Sequence, residues 1–92
     1  MSLTKEQSIK RAKTDLAKRL NTNENQVAER SVSDAEFEDM SLGAPVSGEM
    51  SAQMISSGWR IQLESGGKNY EYRADANQLR LFQFNGANFV VE

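Results

Sequence analysis

The sequence predicts an α+β fold, with an N-terminal amphipathic helix packed on one face of a four- or five-stranded antiparallel β-meander. Three observations predict it. Apolar residues recur at helical spacing over residues 5–20. Period-two alternation then runs through "GWRIQLESGGKNYEYRAD" around a Gly66-Gly67 turn. Two further turn signals, at Ala76-Asn77 and Asn85-Gly86, divide the remaining chain into short alternating segments.

The helix opens on Thr4-Lys5-Glu6-Gln7, a capping box with Thr4 as N-cap and Gln7 at the third helical position. Ile9, Ala12, Leu16 and Leu20 form its apolar stripe. Lys18 and Arg19 fall in the last turn, where the helix dipole favours cations, and Asn21, Asn23 and Asn25 end the segment. A first strand is expected over about residues 26–33. Val27 and Val32 do not share a face under strict alternation, so a bulge or a late start is expected there.

The remaining strands are expected over about 58–65, 68–75, 78–84 and 87–91, within a single domain spanning 1–92. Pairing outward from Gly66-Gly67 sets Leu63 opposite Tyr70, Ile61 opposite Tyr72 and Trp59 opposite Ala74. Every apolar side chain then falls on one face, and a slip of one residue would undo that agreement. A two-residue loop at Ala76-Asn77 sets Ala74 opposite Leu79 and Tyr72 opposite Leu81. The Asn85-Gly86 turn would pair Leu81 with Val90 and Phe82 with Phe89.

This register makes statements about the opposite face. Arg60, Arg73 and Arg80 form a row across three strands. Like charges directly opposite are unfavourable, so the row needs either counter-charges or an anionic ligand. Glu71, Glu64 and the acidic segment 34–39 are the internal candidates; a carboxylate or phosphate suits the arginine fork. A three-residue second turn would flip the fourth strand and remove Arg80 from the row. Phe82, Phe84 and Phe89 admit two arrangements. They form an exposed patch fit for an interface or self-association, or a bulge near residue 82 turns the rings inward.

Composition narrows the chemistry. The 92 residues hold no cysteine and no histidine, which removes the commonest nucleophilic thiol, general base and metal ligands. Ser47 and Ser56 have no visible base. Asp34, Glu36, Glu38 and Asp39 alternate as a calcium loop does, but lack its glycine turn and bidentate acid at the required offsets. A charged, solvated strand edge is the competing account. The chain is therefore expected to be no enzyme and to need neither metal nor cofactor.

Charge is uneven. Residues 1–20 carry six basic groups against two acidic ones, a balance of +4, while residues 21–92 carry five against eleven, a balance of −6; the net is −2. A basic helix opposed by an acidic remainder reads as a solvated face, so no nucleic-acid partner is expected. No apolar run is long enough to span a membrane. Met1, Ser2 and Leu3 read equally as native residues or as an expression scar. The location stays open: cytoplasmic is expected for the chain as it stands, periplasmic or envelope if a signal peptide has been removed.

The stretch "SLGAPVSGEM", residues 41–50, holds the only proline and lies between the first strand and the hairpin. With its surroundings it resembles a small family of uncharacterised bacterial domains. These carry an aromatic-Pro-Asp, then S-L-G-C-P-x-P-G-M, a short strand, P-G-Y-R-I-x-L, and a Y-x-Y hairpin ending in a cysteine. Phe37 and Asp39 stand for the first aromatic and the acid. Ser41, Leu42, Gly43, Pro45, Gly48, Gly58, Arg60, Ile61, Leu63, Tyr70 and Tyr72 match, and the resemblance covers about residues 27–82. Ala44 stands where the family has its loop cysteine, and the second cysteine, near Leu81 or Phe82, is also missing. The resemblance implies a loop that docks on the sheet and is normally stapled there. In this chain packing alone is left to hold it, with Leu42 and Pro45 against the aromatics of the fourth strand. It implies a fold and no function.

The function expected is therefore a non-catalytic interaction domain, with another protein as partner. Leu42, Gly43, Pro45 and Gly48 are its candidate partner loop. Two alternatives stay open: a cystatin-like protease inhibitor using the same loop, and a small-anion or peptide binder using Arg60, Arg73 and Arg80.

Overall fold

A computed structural model describes residues 3–50 and 53–92. Met1 and Ser2, whose origin the sequence leaves open, lie outside the described residues. One helix, α1 (Lys5–Arg19), precedes a short 3₁₀ turn at Glu24–Gln26. Five strands follow: β1 (Ala28–Phe37), β2 (Ser56–Ser65), β3 (Lys68–Ala74), β4 (Leu79–Phe84) and β5 (Ala87–Val90). They form one antiparallel sheet in the order β1-β2-β3-β4-β5. The fold class is thus α+β, with the helix on one face of a five-stranded meander.

The capping box starts α1 as its residues dictate. The Gln7 backbone N–H donates to Thr4 Oγ1 at 3.1 Å, and the Thr4 N–H donates to Gln7 Oε1 at 3.0 Å. Ala12, Leu16 and Ala17 are buried against Ile61, Leu63, Tyr72, Ala74, Leu79 and Leu81 from the strands. Ile9 and Leu20 flank this seam half-buried, because the buried stripe leans toward Ser8. The Ser8 hydroxyl is fully buried and has no hydrogen-bond partner among the described residues. Ser8→Ala removes an unsatisfied hydroxyl and adds helix propensity. It is expected to raise stability by about 1 kcal/mol, read as an upward shift in the urea midpoint at unchanged slope.

The β2–β3 and β3–β4 registers are those the turns dictate, including Ile61 with Tyr72 and Ala74 with Leu79. The first and last strands differ from expectation. β1 starts at Ala28 rather than 26, because Gln26 closes the 3₁₀ turn. It continues to Phe37, since Asp34 and Glu36 project into water from an exposed edge. The bulge expected between Val27 and Val32 lies between Glu29 and Ser31. Between β4 and β5, Arg80 pairs with Val90 and Leu81 with Phe89, whereas Phe84 still pairs with Ala87 across the Asn85-Gly86 turn. An irregularity between Leu81 and Phe84 absorbs the one-residue difference, with Gln83 at φ 49°.

That bulge splits the three phenylalanines. Phe84 and Phe89 turn to the helix side, where Phe84 meets Tyr70 at 5.9 Å and Phe89 at 6.0 Å between centroids. The Arg19 guanidinium lies 4.5 Å from the Phe89 ring and donates from Nε to Asp15 at 2.7 Å. The Tyr72 hydroxyl donates to the same Asp15 oxygen at 2.7 Å. Burial, reinforced by that carboxylate, pushes the Tyr72 phenol well above its ordinary range, so it remains a neutral donor. Phe82 stays on the opposite face. The exposed three-ring patch is therefore not formed.

Candidate functional site

The face of the sheet away from α1 is where the sequence concentrates its unusual residues. Arg60, Arg73 and Arg80 do stand in register across β2, β3 and β4. Their surroundings decide what the row can do. The connection from β1 to β2 folds back over this face and crosses toward β5. Its turn is wound around Asp39, whose Oδ1 accepts from the Ser41 N–H (3.0 Å), the Ser41 hydroxyl (2.6 Å) and the Gly43 N–H (3.1 Å). Leu42, at φ 60°, and Gly43, at φ 69°, are both left-handed, which leucine seldom adopts. Burial of Leu42 and a bond to its carbonyl hold it there.

The arginines hold the loop. Arg73 Nη1 donates to the Leu42 carbonyl at 3.1 Å, and its Nε to Glu71 at 2.7 Å. Its guanidinium lies 3.7 Å from the Phe82 ring and 5.8 Å from Phe37, sandwiched between them. Arg80 is 5% exposed, and each of its three guanidinium nitrogens is hydrogen-bonded. It donates to the Ala44 carbonyl (3.1 Å), to Gln78 Oε1 (2.7 Å), and in a bidentate fork to both Glu49 oxygens (2.6 Å each). Asn88 adds a bond to the Pro45 carbonyl at 2.8 Å, and Gln78 one to Met40.

Three expectations are corrected by this geometry. The row is not an open anion receptor: Glu71 and Glu49 neutralise it from within, and Arg60, with a side chain 48% exposed, is alone in facing water freely. Leu42, placed in the candidate partner loop, is not presented to a partner, because it and Ala44 are buried under the loop they belong to; Gly43, Pro45 and Gly48 are exposed around them. Packing alone does not hold the loop, since buried guanidiniums tether its carbonyls. Sequence reasoning missed Glu49, Gln78 and Asn88. Glu49 had a legible signal, being the carboxylate inside the loop that an arginine row would seek.

Hydrogen bonds from Ser41 and Gly43 hold the Asp39 carboxyl below its ordinary range, and the Arg80 fork does the same for Glu49. Groups whose folded pKa is lowered add stability above the ordinary carboxylate range, and that stability is lost as pH falls through the lowered values. Acidification from about pH 5 downward is therefore expected to release the loop before the sheet. Amide exchange at Leu42, Gly43, Ala44 and Val46 would speed up relative to Ile61 to Leu63. Equal protection of both segments at pH 3 would refute this order.

On the other side of the molecule, the basic helix is partly neutralised. Arg11 pairs with Glu92, Lys13 with Glu29 at 4.0 Å, and Arg19 with Asp15. Among the described residues, no three acidic side chains converge as a metal requires, and no helix is long and apolar enough to cross a membrane.

Two exposed surfaces bear on binding. The loop's return limb exposes Met50, Met54 and Ile55. Among the described residues the outer edge of β1 is unpaired, and a shallow groove over β1 and β2 is lined by Asp34, Ala35, Glu36, Ser57, Gly58 and Trp59. Asp34 sits directly opposite Trp59 in the β1–β2 register. Among the described residues neither Asp34 nor Glu36 is in an ion pair. The fold and these surfaces define a helix-on-meander α+β domain with an internally clamped loop and one long free strand edge. The chain belongs to the family described as a domain of unknown function, DUF8738, whose model matches residues 9–82. No curated protein and no solved structure matches the chain.

Proposed function

We propose that this chain is a non-catalytic interaction domain of bacterial type that binds another polypeptide by strand addition at the free edge of β1. The observation that supports this reading most directly is the edge itself. From Ser31 to Phe37 the strand is regular, exposed at Ser31, Ser33, Asp34 and Glu36, and paired on one side only among the described residues. Such an edge presents a ladder of unpaired N–H and C=O groups that an extended segment can complete. The opposite sheet face, by contrast, is occupied by the protein's own loop.

The test is selection of random ten-residue peptides displayed against the immobilised protein, with the best binders mapped by NMR. Shifts and slowed exchange centred on the amides of residues 31–37 are expected. Binders that perturb Met50, Met54 and Ile55 instead, or an absence of enrichment, would overturn the reading.

A further inference from the structure

Resting on that strand-addition reading, we infer that the β1 edge selects a basic extended segment, one carrying lysine or arginine at alternate positions that face the helix side of the sheet. The charge of the edge is the first reason. Glu29, Arg30, Asp34 and Glu36 leave β1 net acidic. Arg30 sits at the bulge and turns to Glu64 at 3.4 Å. Lys13, the one helix cation paired to this strand, is engaged with Glu29 at its far end. The regular stretch 31–37 is thus left with two carboxylates and no cation.

A second copy of β1 is a poor occupant. Antiparallel pairing of two such edges about Ser33 sets each Asp34 opposite Val32, with no cation, and each Glu36 opposite an Arg30 that is already turned to Glu64 of its own chain. The acidic edge therefore discourages self-pairing and admits a strand of opposite sign, so that protection and selectivity have one cause.

Trp59 is the second reason, independent of charge. It is half-buried on the helix side, directly across from Asp34. Strands in a sheet lie about 5 Å apart. A lysine or arginine opposite Asp34 on an added strand would pair with that carboxylate, and its long stem would extend over it toward the indole face. A second cation two residues along would stand opposite Glu36. Asp34 and Glu36 are therefore the specificity residues, and Trp59 is the platform between the strand and the core.

The experiment uses three synthetic ten-residue β-forming peptides of matched length, with lysine, glutamate or threonine at every second position of one face. Affinity is read from Trp59, the only tryptophan, by fluorescence, and the site by amide shifts of residues 31–37. The lysine peptide is expected to bind about tenfold more tightly than the threonine peptide, with the glutamate peptide weakest. Asp34→Asn with Glu36→Gln should erase that ranking while leaving the threonine peptide unchanged, and high salt should compress it. If all three shift the β1 amides with equal affinity, strand addition stands and the charge selection is wrong. If the lysine peptide binds without moving residues 31–37, both are wrong.

Discussion

Gly58→Ala is expected to lower stability by about 3 kcal/mol. A Cβ built on Gly58 would lie 2.0 Å from the Ala74 carbonyl oxygen and 3.0 Å from the Asp75 Cα. The neighbours in the way are backbone, which cannot rotate aside as a side chain can. The Ala74–Asp75 segment also carries the turn into β4, where the Asp75 carboxylate accepts from the Asn77 and Gln78 N–H groups at 2.7 and 3.0 Å. The same turn receives the Leu3 N–H at the Ala76 carbonyl, so displacing it also loosens the start of α1. Urea titration followed by circular dichroism measures the effect. A loss below about 1 kcal/mol would mean that β2 and β3 separate at this end with little cost.

Glu49→Ala is expected to cost about 2–3 kcal/mol and to free the loop without unfolding the sheet. Removing one partner of a fully buried pair costs roughly 3–5 kcal/mol, because the other charge is stranded. Here the Arg80 side chain is 6% exposed but that of Glu49 is 23% exposed, so water can reach part of the site and the expected loss is smaller. Arg80→Met in the same background should recover part of the loss, since no buried cation then remains. A double-mutant cycle reads this as coupling. Loop release is read separately, as faster exchange at Leu42 and Ala44. Additive losses, or an undisturbed loop in Glu49→Ala, would show that the fork is not what holds it.

Local rules reached as far as the two tight hairpins. In the Gly66-Gly67 and Asn85-Gly86 turns both residues take positive φ, as two-residue hairpins require. From those turns the pairing of Trp59, Ile61 and Leu63 follows, because only one register gathers the apolar side chains on one face. The arginine row was legible for the same reason. Its role was not, because alternation says which side chains share a face and not what is folded over that face. The phenylalanines show a second limit. A bulge at Gln83 shifts the pairing by one residue, and no turn residue announces it.

The sequence by itself determined the helix, its cap, the strand order and the central registers, since these depend on spacing, turn chemistry and nearest neighbours along the chain. Only the tertiary structure decided that Arg73 and Arg80 clamp a loop 31 and 36 residues away. The same holds for the direction in which Phe82 points and for how far β1 runs along the outer edge of the sheet. The clamp depends on which distant carbonyl or carboxylate lies within reach of a guanidinium on the sheet. That is a matter of chain path and desolvation, and no local pattern carries it.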